Sequence, residues 1–117
     1  MLRFQHFTVG AGWKPDYGSV DTKSGFETLM KYSPLHNVKL GASYPATLVM
    51  TGDHDDRVVP SHSYKFAAAL QAAQAAAAPI LLRVAPGEGH RGNGGRSAKL
   101  EGIAAMWAFL FKAFGLS

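Results

Sequence analysis

Two short stretches hold the residue types of proton-transfer chemistry. Thr51 to Pro60 (TGDHDDRVVP) gathers Asp53, Asp55 and Asp56 around His54, and Gly87 to Gly92 (GEGHRG) sets His90 among glycines, 35 residues after Asp55. A carboxylate that accepts a hydrogen bond from one nitrogen of a His ring fixes the tautomer and stabilises the imidazolium formed when the other nitrogen takes a proton. All three aspartates are candidates for that task. The plainer reading is that they end a strand and cap the helix after it. His90 tips the balance towards chemistry, because small neighbours let the backbone turn sharply and leave the ring accessible. A divalent ion held by Asp53, His54, Asp55 and His90 is a further reading. A single Asp-His-Asp tripeptide is poorly built to aim three side chains at one ion, so no metal or other cofactor is expected. The loop glycines also lack the Gly-Lys-Ser or Gly-Lys-Thr ending of a phosphate loop.

An Asp/His pair needs a nucleophile to activate. In a serine hydrolase of the α/β type that serine sits in a Gly-x-Ser-x-Gly turn, ahead of the Asp and His in the chain, and no such motif occurs in these 117 residues. Ser19 and Ser24 follow no buried strand and read as turn or helix-cap residues. The chain therefore reads as the back end of an enzyme.

The elements that must position these residues follow from periodicity. Ala46 to Thr51 is short, apolar and β-branched, and runs straight into the acidic loop, as a central parallel strand does. Ser61 to Ala77 reads as an Ala-rich helix with Phe66 and Leu70 on its apolar face and Pro79 at its exit. Ile80 to Ala85 reads as a second strand, ending in the glycine-rich loop. Leu100, Ile103, Trp107, Leu110, Phe111 and Phe114 stripe a last helix. Ahead of these, Phe26, Leu29 and Met30 mark a helix over Thr22 to Tyr32, stopped by Ser33-Pro34, while the first twenty residues read as a short helix or loop. The order predicts an α/β fold of parallel strands flanked by helices. Two strands leave both sheet edges open and the last helix uncovered, so self-association is expected of the isolated chain.

Composition agrees with one globular domain: 47% of residues are hydrophobic and 17% charged. The net charge of +4 is scattered along the chain, which argues against a nucleic-acid partner. With no cysteine there are no disulfides, thiol chemistry or Cys-based zinc sites. No apolar run reaches the roughly 20 residues that span a bilayer, so no membrane partner is expected. Met1 to His6 lacks the pattern of a secretory signal, which predicts a cytoplasmic protein, or a periplasmic one if a signal lies upstream.

Asp53 to Pro60, Tyr32 to Leu40 (YSPLHNVKL) and Gly12 to Gly18 (GWKPDYG) together resemble the C-terminal end of the prolyl oligopeptidase family, and the likeness covers nearly the whole chain. The resemblance implies a partial α/β-hydrolase fold, with residues 1–117 as the C-terminal portion of a catalytic domain that in the family stands beside a β-propeller. It implies a serine peptidase that cleaves short proline-containing peptides after proline. By position, Asp55 matches the triad Asp and His90 the triad His. Arg57 matches the Arg that binds a substrate carbonyl, and Trp13 the ring that stacks on the substrate proline. Tyr17 and Val58 match other positions of that pocket and of the oxyanion site. The family's nucleophile turn and propeller lie upstream of this segment, so the chain is expected to be inactive alone and to pair with the missing N-terminal part of the domain or with a second copy. Arg91 stands where the family usually has Gly. The alternative is a standalone, non-catalytic α/β module that binds a ligand or itself.

Overall fold

A computed structural model describes residues 1–92 and 94–116. Its centre is a parallel pair of strands, β1 (Thr47–Gly52) and β2 (Ile80–Ala85), in register from Thr47 opposite Ile80 to Gly52 opposite Ala85. The strands are joined by a helix, α3 (Ser61–Ala73). Before them lie the four-residue α1 (Lys14–Tyr17) and α2 (Lys23–Tyr32), and after them α4 (Arg96–Phe114). Three 3-10 turns, Phe4–His6, Gly10–Trp13 and Pro34–Asn37, complete the N-terminal half.

In-register parallel partners share a face, and side chains alternate along each strand. Thr47, Val49, Ile80, Leu82 and Val84 therefore form one face, and Leu48, Met50, Leu81 and Arg83 the other. Val49 and Phe66 of α3 line a common cavity, whereas Met50 and Arg83 share a groove with Gly102, Ile103 and Met106 of α4. The two helices thus lie on opposite faces of the sheet. The α3 side is well packed: Ala67, Leu70 and Ala73 are buried along the helix, as is Ile80 on β2. The other side is not. Met50 and Leu81 are exposed, no residue of α4 is buried, and Leu100, Ile103, Trp107, Phe111 and Phe114 all face solvent. The radius of gyration, 16.2 Å, exceeds the roughly 13 Å expected of a complete domain of this length. No helix among the described residues is long and apolar enough to cross a membrane.

Most elements fall where periodicity puts them. Thr22 caps α2 by accepting a hydrogen bond from the Gly25 amide at 3.1 Å, and β1 is displaced by one residue from its expected start. One boundary is corrected: α3 ends at Ala73, not Ala77. The alanines favour helix, but the Gln74 side chain accepts from the Tyr44 amide and donates to the Tyr44 and Ala78 carbonyls, while the Ala75 amide bonds the Ala42 carbonyl. These tertiary bonds outweigh the propensity of a few alanines, which amounts to tenths of a kcal/mol per residue.

Leu29 is fully buried. Leu29→Ala is expected to cost about 2–5 kcal/mol, the usual range for truncating a core leucine, read as a lower urea midpoint. An Ile103→Lys, Trp107→Lys double variant is expected to keep that midpoint while lowering both apolar-dye binding and self-association.

Candidate active site

The acidic loop and the glycine loop leave neighbouring strands at the same sheet edge, and backbone bonds lace them together. The Asp53 amide donates to the Ala85 carbonyl at 3.2 Å, the His54 amide to the Glu88 carbonyl at 3.1 Å, and the Gly87 amide to Asp53 Oδ1 at 2.6 Å. Gly52 makes the approach possible, since a Cβ there would stand 2.0 Å from the Glu88 carbonyl oxygen. Gly87 contributes the positive φ of 69° that turns the chain after β2.

This lacing brings Asp55 to His90, with His90 Nδ1 2.9 Å from Asp55 Oδ2. The other carboxylate oxygen, Oδ1, accepts from the Arg57 amide at 2.9 Å and the Val58 amide at 2.8 Å. Asp55 is therefore the hub of the loop, and its side chain is only 9% exposed. Burial alone would raise its carboxyl, but the Val58 amide, His90 and the Arg57 amide outweigh burial and hold it below the ordinary carboxylate value. An ionised carboxylate can only accept, so it accepts the hydrogen bond of Nδ1–H and leaves Nε2 as the basic nitrogen of the neutral imidazole. The His90 side chain is 37% exposed, open to a reacting group.

The other aspartates have different tasks. Asp53 bonds His54 at 2.7 Å and the Gly87 amide, and both lower its carboxyl, His54 most. The expectation that the acidic loop caps α3 is corrected: the helix begins after Pro60 without a side-chain cap. The aspartates bond the loop backbone instead, because the chain turns between Asp55 and Val58, before the helix starts.

Trp13, Tyr17, Arg57 and Val58 are brought together on the wall of one cavity of about 610 Å³. The Arg57 guanidinium lies over the Trp13 ring, 6.0 Å from its centroid, and Phe4 meets Tyr17 edge to face with ring centroids 5.8 Å apart. Asp55 and His90 do not line this cavity. The connection between pair and cavity runs through the Asp55 carboxylate, which fixes the amides of Arg57 and Val58. The wall also holds polar residues that the sequence pattern does not single out. His62 is half-buried with its ring edge-on to Phe7, and burial, assisted by the positive amino terminus and Lys65, pushes its imidazole down. Thr8 is another, and nothing in the local sequence pattern marks it.

A strand delivering an Asp, a crossover helix, and a parallel strand delivering a His bonded to that Asp are the arrangement of a partial α/β-hydrolase fold. Comparison with known proteins makes the assignment specific. The model of the prolyl oligopeptidase family matches residues 1–117. The prolyl endopeptidase of Elizabethkingia miricola is 56% identical over 100 residues, covering 85% of this chain and 14% of that protein. The prolyl endopeptidase of Dictyostelium discoideum is 43% identical over 119 residues, covering 99% of this chain and 16% of its own. Among solved structures, one from a study of two prolyl endopeptidases superposes with a TM-score of 0.95 at 38% identity, over 100% of this chain and 17% of that one. Prolyl oligopeptidase B of Galerina marginata, bound to a 35mer hydrolysis and macrocyclization substrate, gives a TM-score of 0.87 at 34% identity, over 100% and 16%. The chain belongs to the prolyl oligopeptidase family, and spans about a sixth of the length of these relatives.

Two outcomes are expected at this site. The Asp55 carboxyl is lower in the folded chain than its unfolded value of about 3.9, so its contribution to stability is present above that pH and lost as pH falls through the folded value. Asp55→Asn should therefore melt below wild type at pH 6, with the gap closing in thermal midpoints taken stepwise to pH 3. Gly52→Ala should push the Glu88 loop away, at a cost of about 1–3 kcal/mol by analogy with overpacked cores, and separate His90 from Asp55. A changed His90 ring resonance in NMR spectra checks it.

Proposed function

We propose that this chain is the C-terminal portion of the catalytic domain of a serine-type prolyl endopeptidase, supplying its general base and part of its proline pocket. The observation that carries the reading is the 2.9 Å bond between His90 Nδ1 and Asp55 Oδ2, which leaves Nε2 as the basic nitrogen. Membership of the family and the names of the similar proteins support it.

In this reading His90 Nε2 takes the proton of a serine hydroxyl as the serine attacks the carbonyl carbon of the substrate proline. Asp55 stays ionised and steadies the imidazolium, and His90 then gives the proton to the leaving amine. Arg57 donates to a substrate carbonyl with its planar fork, and Trp13 offers a face to the proline ring. Tyr17 and Val58 supply other positions of that pocket and of the oxyanion site. The serine is to come from polypeptide outside these 117 residues, which hold no Gly-x-Ser-x-Gly turn, so the chain alone does not turn over substrate. Its partner is the rest of the catalytic domain, and its compartment the cytoplasm, or the periplasm if a signal is supplied upstream.

The test grafts this chain into the Elizabethkingia miricola prolyl endopeptidase in place of the matching segment. The chimera is expected to release chromophore from a Gly-Pro substrate, and His90→Ala to lower kcat by roughly 10⁴-fold, the scale of a disabled triad. A folded chimera without turnover, or His90-dependent turnover by the isolated chain, would overturn the reading.

A further inference from the structure

Thr8 stands in a backbone conformation that its side chain disfavours. Its φ is 48°, and among the described residues it alone is in the left-handed region without being glycine. A β-branched residue there is an outlier, because Cβ and its two substituents crowd the backbone. Such a conformation persists where the surroundings fix it, and the direction of inference is from the observed outlier to a task for it.

Two bonds hold this turn: the Gly10 amide donates to the Phe7 carbonyl at 2.8 Å across Thr8 and Val9, and the Thr8 hydroxyl ties the turn to the loop after β1. Thr8 Oγ1 donates to the backbone carbonyl of Arg57 at 2.6 Å, across 49 residues of sequence. Among the described residues it is the one hydrogen bond from the first 21 residues to the loop of residues 53–60. The Arg57 peptide is thereby gripped at both ends: its amide by Asp55 Oδ1 and its carbonyl by Thr8. The guanidinium then lies over the ring of Trp13, five residues beyond Thr8. The same turn seats Phe7 edge-on to His62 at the start of α3, 5.3 Å between centroids.

We infer that Thr8 is a positioning residue for substrate recognition: its hydroxyl, held in a left-handed turn, fixes the Arg57 peptide and with it the register of the Arg57 guanidinium on the Trp13 ring. The inference rests on the pocket reading given above for the role of Arg57 and Trp13, but the hold itself is a property of this chain. Valine at this position keeps the branched shape and loses the donor. Serine keeps the donor. Glycine relieves the backbone and loses the donor, so it separates anchoring from strain.

The experiment uses the 117-residue chain with Trp107→Phe, so that Trp13 is the single tryptophan, and follows the Arg57 Nε–H resonance, which the Trp13 ring current displaces. Wild type and Thr8→Ser are expected to show the displaced resonance. Thr8→Val and Thr8→Gly are expected to lose it while keeping the far-ultraviolet circular dichroism of wild type. If Thr8→Val unfolds the chain, Thr8→Gly decides alone. A displaced resonance retained in the glycine variant, or absent from wild type, overturns the inference. N-acetyl-Gly-Pro-amide is then titrated into the same samples. It is expected to move the Arg57 and Trp13 signals of wild type, with affinity reduced about fivefold or more in Thr8→Gly and restored in Thr8→Ser. A peptide that leaves the wild-type signals unmoved sinks the pocket reading and leaves the hold of Thr8 on Arg57 to be decided by the variants.

Discussion

The structure turns on one carboxylate with two jobs. Asp55 gives one oxygen to the ring of His90 and the other to the amides of Arg57 and Val58. Ionised and largely out of water, it accepts three hydrogen bonds, each of them charge-assisted. The loop after β1, the ring after β2 and the wall of the cavity are consequently referenced to a single atom group. A displacement of Asp55 would be felt in all three places, so the His90 ring and the wall of the cavity cannot be moved independently.

The lacing beneath Asp55 explains why a small sheet suffices to hold it. Gly52 allows the two strand ends to approach within the thickness of a bare peptide, and the bonds from Asp53 and His54 to the opposite loop close the gap. The helices contribute less. α3 covers one face with alanines and a leucine, small residues that let it lie close, and the opposite face is left with Met50 and Leu81 in solvent.

Much of this was legible in the residues themselves. The two β-branched apolar runs are the strands, the residues that follow them are the Asp and the His, and the prolines and glycines mark the turns. What could not be read was settled by contacts distant in sequence. α3 stops where Gln74 reaches back to Tyr44, overriding a run of alanines that reads as helix. The aspartates resemble helix caps because caps and loop turns use the same short acceptor, and only the register of the turn tells them apart. Thr8 gave no signal at all, since neither a positive φ nor a partner 49 residues away leaves a mark on local pattern. His62 was hidden for a related reason: its burial comes from Phe7, on another element.

The bare stripe along α4 has a consequence for the order in which the chain comes apart. A helix of 19 residues with no buried side chain draws little on tertiary packing and must stand on its own backbone bonds and intrinsic propensity, which are marginal for an isolated helix in water. The strands and α3, tied through the core, share a common fate. The chain is therefore graded rather than uniform in its cooperativity: α4 opens in local excursions that leave the strands closed, and its amides exchange with solvent sooner than those of β1 and β2.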